Sequence, residues 1–251
     1  MSNLTISKNV LLACQITGIY DVNRNETLPN DDYSLIEDWC NSITQLDLQG
    51  IIFHNNYTET FCKAFSNKNI QFVEINYDVN FNPNVYRYLI YSDFLKSNVQ
   101  WIENVFVTDI SDVVVIQNPF IESPFTTNPD FIFCGDEPKI LENEWIKNHS
   151  EHLRNKIFNY EEYEEKFKDT TLLNCGIIGG NINVMQTFIE KLSEIHRIYN
   201  FDNKTAYTGD MGAFNYLIRT QFNDQVLHGF PVNTEFKAYQ TERNDCWFKH
   251  K

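Results

Sequence analysis

The chain has 251 residues, 42% hydrophobic and 22% charged, with 9 glycines and 7 prolines. That composition excludes a disordered tail or a collagen-like fibre and fits one sizeable globular domain or two small ones. Acidic residues outnumber basic ones by 34 to 20, and the net charge of −14 sets the surface as a whole against nucleic acid.

Short apolar runs at 10–14, 50–54, 71–75, 104–108 and 131–134 are bounded by polar residues, the pattern of strands buried on both faces of a parallel sheet. Between them, 31–48 and 57–67 predict crossover helices. Asp31 and Asp32 supply a capping acid, and Leu35, Ile36, Trp39 and Ile43 recur at helical spacing. The N-terminal half therefore scans as β-α-β-α-β, a nucleotide-binding type of unit in an α/β protein. Segment 84–98 predicts a further helix, on which Arg87 shares its side with Tyr91 and Phe94. The stretch 142–168 is highly polar, and within it the run Tyr160-Glu-Glu-Tyr-Glu-Glu-Lys166 predicts a solvated helix face. Met185, Phe188, Leu192, Ile195 and Tyr199 predict a helical core stripe, and 211–220 another helix. No repeat or Pro-rich hinge divides the chain, so a single domain over 1–251 is expected.

Six cysteines, at 14, 40, 62, 134, 175 and 246, form no C-x-x-C pair and no zinc-type spacing, which predicts free, mostly buried thiols in a reducing compartment. No apolar run approaches a membrane span, and the N-terminus lacks a signal-peptide pattern. A cytoplasmic location without an integral membrane segment is the expectation. Scattered N-x-S/T triplets carry little weight in an Asn-rich chain.

The chemistry concentrates after the strand 104–108. Asp109 comes at its carboxyl end and Asp112 three residues later, where open α/β sheets bind ligands. Two carboxylates in one turn can hold a hard divalent ion such as Mg²⁺ or Mn²⁺. The plain alternative is a turn, since Asp and Ser favour turns and caps.

Five segments in order carry a resemblance: Arg87-Tyr-Leu-Ile-Tyr-Ser-Asp-Phe-Leu95; Thr108-Asp-Ile-Ser-Asp-Val-Val-Val-Ile-Gln-Asn-Pro-Phe120; Leu173-Asn-Cys-Gly-Ile-Ile-Gly-Gly180; Thr208-Gly-Asp-Met-Gly-Ala-Phe-Asn215; and His228-Gly-Phe-Pro231 with a terminal His250-Lys251. Together they make the chain similar to the metal-dependent glycosyltransferases of GT-A type, whose hallmark is a D-x-D-like motif after a strand. The resemblance implies a GT-A, Rossmann-like fold with a central, mostly parallel sheet flanked by helices. It also implies a nucleotide-sugar donor, with a UDP-sugar favoured, bridged to the protein by Mn²⁺ or Mg²⁺, and a glycan or other glycoside acceptor, as in polysaccharide biosynthesis. Ser111 stands where the bare D-x-D spacing would place an acid, which leaves open which carboxylate touches the metal.

By the same resemblance Asp109, Asp112 and His250 form the metal set, with His228 as a rival ligand, and Lys251 neutralises the leaving diphosphate. Arg87 contacts the donor nucleotide or its phosphates, beside Ser111, and Gly229 belongs to the same donor side. Asn174, Gly176 and Gly179 line the sugar and acceptor side. Asp210 lies near the sugar ring as the first catalytic candidate, with Asn174. Asp136 and Glu137 are carboxylates at a sheet edge that can orient the acceptor. Plainer roles stand beside these: a helix-margin arginine for Arg87, a macrodipole partner for Asp210, a frayed tail for His250 and Lys251. Retention of configuration is slightly favoured over inversion.

Two other classes compete. A sugar-phosphate nucleotidyltransferase carries a Gly-rich loop after its first strand, whereas residues 13–20 hold one glycine. A non-catalytic carbohydrate-binding protein would retain the fold around a decayed site. Dehydrogenases and P-loop enzymes are excluded by the absence of G-x-G-x-x-G and G-x-x-x-x-G-K-S/T.

Overall fold

Along the first strand both side-chain directions are apolar: Val10 and Leu12 point to one core, Leu11 and Ala13 to the other, and all four are fully buried. Such a strand needs cover on both faces. The computed structural model, which describes residues 6–21, 25–203, 209–240 and 242–251, supplies it. The first half runs β1 (Asn9–Gln15), a short hairpin β2 (Tyr20–Asp21) and β3 (Glu26–Thr27), α1 (Glu37–Gln45), β4 (Gly50–His54), α2 (Glu59–Phe65), β5 (Ile70–Glu74), α3 (Pro83–Asn98), β6 (Asn104–Thr108) and β7 (Val113–Val115). The second half adds α4 (Ser123–Thr127), β8 (Ile132–Ile140), α5 (Glu144–His149), α6 (Glu151–Arg154), α7 (Tyr160–Phe167), β9 (Thr171–Asn181), α8 (Ile182–Tyr199), α9 (Asp210–Leu217), β10 (Val226–His228) and β11 (Phe248–His250).

Seven strands form the main sheet in the order β10-β8-β9-β6-β1-β4-β5. All neighbours are parallel except β9, which runs antiparallel between β6 and β8. The carboxyl ends of β1, β6, β8 and β10 therefore share one edge with the start of β9. One face is covered by α3, α8 and α9, through side chains such as Tyr88, Phe188 and Phe214. The other is covered by α1, α2 and the small sheet of β7 with β11, through Trp39, Phe61, Trp247 and Phe248.

Three elements differ from the sequence expectation. The helix expected over 31–48 is divided into a 3-10 turn, Tyr33–Leu35, capped by Asp32, and then α1; Ile36, at φ −129°, breaks the helical path between them. The run from Tyr160 forms the expected helix, α7, with Glu161, Glu162 and Glu165 exposed, but its other side buries the Tyr160, Tyr163, Phe167 stripe, and the polar stretch before it forms two further short helices that bury Ile146 and Leu153. The strand expected at 131–134 continues to Ile140, with register shifts against β9 between Cys134 and Gly135 and between Asp136 and Ile140. Thr208, part of a quoted motif, lies outside the described residues.

The chain's end is not frayed. β11 pairs antiparallel with β7, opposing His250 to Val113 and Phe248 to Val115. Trp247, Phe248 and His250 are 1%, 0% and 2% exposed. Burying the two aromatic side chains contributes roughly 2–3 kcal/mol each, more than enough to hold a three-residue strand in place.

Candidate functional site

A cleft of about 590 Å³ opens at the shared carboxyl edge of the sheet, within the size range of small-molecule sites. Strand β6 delivers Asp109 there, and its backbone N–H donates to the Gly176 carbonyl at 2.8 Å. The following turn carries Ser111 and Asp112 along the wall. Opposite, β11 brings in His250, whose backbone N–H donates to the Thr234 hydroxyl at 3.1 Å.

Asp109, Asp112 and His250 converge, with one ligand atom from each within 4.8 Å of the others. His250 Nε2 lies 3.9 Å from Asp112 Oδ2. Oxygen and nitrogen ligands of a small divalent ion sit about 2.1 Å from it and hence about 3–4 Å apart, so the group is a small side-chain rotation from a coordination shell. Its chemistry suits Mn²⁺ or Mg²⁺, with two carboxylates and one imidazole. Two buried atoms, Asp112 Oδ1 and His250 Nδ1, have no hydrogen-bond partner, which is costly unless a bound species satisfies them. Burial pushes the His250 imidazole down to about 4, with Asp112 pulling the other way, so it is neutral and able to ligate at neutral pH.

Gly176 leaves the space in which these groups meet. A Cβ there would stand 2.7 Å from Asp109 Oδ2 and 2.7 Å from His250 Cε1, so any side chain would fill the gathering point. Two residues earlier on the same face of β9, Asn174 accepts from the Gly176 N–H at 2.7 Å and donates to Glu137 Oε1 at 3.1 Å. Arg87, only 9% exposed, ion-pairs with Asp109 and lies 3.9 Å from Asp210. Its guanidinium also donates to the Tyr88 hydroxyl at 3.0 Å, and that hydroxyl donates to the Cys175 carbonyl. Arg87 is thus a buried strut between two carboxylates rather than a helix-margin charge.

Asp210 heads α9, where the helix dipole favours a carboxylate, and Cys175 donates to it at 3.8 Å. Burial pushes the Cys175 thiol up to about 12, so it stays protonated as a donor. Asn215 locks α9 against β9 with hydrogen bonds to both backbone groups of Leu173. Asp210 and Asn174 consequently face the cleft on rigid elements.

Other expected residues are placed elsewhere, Gly179, Asp136 and Lys251 through strand alternation. Gly179, three positions from Gly176, faces the core, where a Cβ would strike the Phe106 ring at 2.2 Å. Asp136 turns away from Glu137 and accepts from His228 Nδ1 at 2.9 Å, so His228 latches β10 to β8 and is outside the metal group. Gly229, at φ +69°, makes the turn that clears Asp136. Lys251 follows His250 on the opposite side. Its N–H donates to the Asp112 carbonyl at 2.9 Å, while its ammonium pairs with Asp38 outside the cleft. The cleft also gathers Gln15, Lys139, Trp145, His149, Phe236 and Lys237, none of which belongs to a motif recognisable by spacing.

No family model matches the sequence, and no curated protein matches it. Among solved structures the chain is similar to the galactosyltransferase LgtC, solved in complex with donor and acceptor sugar analogs. The identity is 13%, the match covers 96% of this chain and 86% of that chain, and the TM-score is 0.50. At that identity the likeness concerns the fold: this chain has the α/β architecture of the GT-A type, a central, mostly parallel seven-stranded sheet flanked by helices.

Proposed function

We propose that the chain is a single-domain glycosyltransferase, spanning 1–251, that moves a sugar from a nucleoside-diphosphate sugar, most readily a UDP-sugar, to a hydroxyl of a glycan acceptor. The observation that carries this reading is the convergence of Asp109, Asp112 and His250 at the carboxyl edge of the sheet, with two of their buried atoms unsatisfied. The complex of LgtC with donor and acceptor sugar analogs supports a donor sugar and an acceptor sugar as ligands for a cleft of this architecture.

In this reading Asp109, Asp112 and His250 hold Mn²⁺ or Mg²⁺, which when bound screens the negative charge that develops on the departing diphosphate. Arg87 fixes the Asp109 carboxylate so that its other oxygen faces the gathering point beside Gly176. Asn174 and Asp210 offer hydrogen bonds to the sugar hydroxyls, and Glu137, held by Asn174 and by Lys139 at 3.3 Å, orients the acceptor. The bond from the anomeric carbon to the diphosphate oxygen breaks as the acceptor oxygen bonds that carbon, and the hydroxyl proton passes to the departing diphosphate. This front-face course retains the configuration, which NMR of the product anomer reads.

Turnover of a panel of sugar nucleotides, followed as release of the nucleoside diphosphate with Mn²⁺ and with a chelator, tests the proposal. Metal-dependent release, reduced at least a hundredfold in Asp112→Asn (roughly 3 kcal/mol of transition-state stabilisation), is the expected outcome. Turnover unaffected by chelator and by the substitution would falsify it.

A further inference from the structure

Beneath the cleft, His152, Asn200 and His196 form a polar bridge whose two ends meet segments that line the cleft. Asn200, buried at the end of α8, stands at its centre. Its amide donates to Nδ1 of His196, one helical turn back, at 2.7 Å, and its side-chain carbonyl accepts from Nε2 of His152 on α6. Burial pushes both imidazoles below their ordinary range. Core packing alone does not account for this arrangement. His196 is fully buried, yet its Nε2 has no hydrogen-bond partner among the described residues, a cost that an apolar side chain of similar size would not carry. What a buried polar bridge offers in return is a single defined arrangement of the elements it joins.

Both ends lead to Asp210. At one end His196 stacks on the Tyr88 ring, 5.4 Å between centroids and 21° between planes. The Arg87 guanidinium stands 4.9 Å over that same ring and donates to its hydroxyl, which in turn donates to the Cys175 carbonyl. Tyr88 therefore sets the place of the buried cation that lies between Asp109 and Asp210. At the other end His152 follows directly on α5, which carries Trp145 and His149 on the cleft wall. Its ring packs at the head of α9, where a Cβ on Gly209 would lie 2.4 Å from His152 Cε1. Gly209 immediately precedes Asp210.

We propose that His152, Asn200 and His196 are positioning residues that hold Asp210 in its reactive place, acting on its partner Arg87 through Tyr88 and on its backbone through Gly209; this rests on the transferase reading above. None of the three lines the cleft, so their effect is on the orientation of Asp210 and not on donor or metal binding. Small displacements of such a group slow the chemical step far more than they weaken binding.

Steady-state release of nucleoside diphosphate from the preferred sugar nucleotide tests the assignment, alongside Mn²⁺ affinity by electron paramagnetic resonance and stability by urea unfolding. His152 is only half-buried, so its variants keep the test readable if the core variants fail to fold. In His152→Ala kcat should fall about tenfold, with KM and Mn²⁺ affinity unchanged, and His152→Gln, which keeps a donor for Asn200, should recover most of that loss. His196→Leu should be slowed in the same way, and His196→Phe, which retains the stack on Tyr88, should be faster than His196→Leu. Lower stability in His152→Ala with an unchanged kcat would overturn the assignment and leave the transferase reading intact, as would a KM or Mn²⁺ affinity that shifts in place of kcat. A wild type that releases no nucleoside diphosphate from any sugar nucleotide would remove both.

Discussion

His250 and Lys251 are adjacent in sequence and opposite in fate. A strand sends successive side chains to opposite faces, so pairing β11 with β7 buries the imidazole and turns the ammonium out to Asp38. The same alternation separates Asp136 from Glu137 and Gly176 from Gly179. The place of Asp109 and Asp112 at the cleft was legible in the sequence because a carboxylate pair after a buried strand has a position dictated by the sheet. Lys237, Trp145 and His149 were not, because they reach the cleft on segments whose return path no local pattern encodes. One consequence concerns pH. With its folded pKa held by burial at about 4 against an ordinary 6.5, His250 remains neutral through mildly acidic conditions. Mn²⁺ affinity measured by electron paramagnetic resonance should hold from pH 7 down to about pH 5.5 and fall below about pH 5. A decline centred on about pH 6.5 would show an imidazole that is solvated rather than buried.

Among the elements, the terminal strand carries weight out of proportion to its three residues. Trp247 reaches under the sheet to Phe133, 5.5 Å between ring centroids, and Phe106, 6.2 Å, and this contact sets the depth at which His250 enters the cleft. Trp247→Ala should cost about 3–5 kcal/mol in urea unfolding and weaken Mn²⁺ binding as well. Destabilisation with unchanged Mn²⁺ affinity would show that β11 does not position the imidazole. Strands β1, β4 and β6 were readable as apolar runs because burial on both faces leaves no polar alternation. Strand β9 was harder to read, since its glycines suit a turn as well as a strand, and only pairing with β6 and β8 decides between them. Strand β7, three valines after the acidic turn, gains its role from a partner more than a hundred residues away.

Across the molecule, the fold keeps some titratable groups uncharged in the core beneath the cleft. His196 is fully buried, stacked on Tyr88 at 5.4 Å, and its Nδ1 accepts from the Asn200 side-chain amide at 2.7 Å. Burial pushes it down to about 3 from an ordinary 6.5. The unfolded chain therefore binds the proton first as pH falls, so the stability this neutral ring contributes is complete above pH 6.5 and is lost on descent toward pH 3. Between about pH 6.5 and 4.5 that amounts to on the order of 2–3 kcal/mol. Urea unfolding across this range should show a smaller loss in His196→Gln than in wild type, and equal slopes would contradict the assignment of the buried neutral ring. The acidic surface bears on the site in turn. A domain of charge −14 disfavours a bare diphosphate and favours one that arrives with its cation.

The most direct measurement is anomalous diffraction at the manganese edge from crystals grown with Mn²⁺ and a nucleoside diphosphate. The fold and the unsatisfied atoms of Asp112 and His250 predict a single strong peak between Asp109, Asp112 and His250, with the diphosphate oxygens completing its shell. A diphosphate bound in the cleft with no anomalous density among those three side chains would contradict the metal-bridged mechanism.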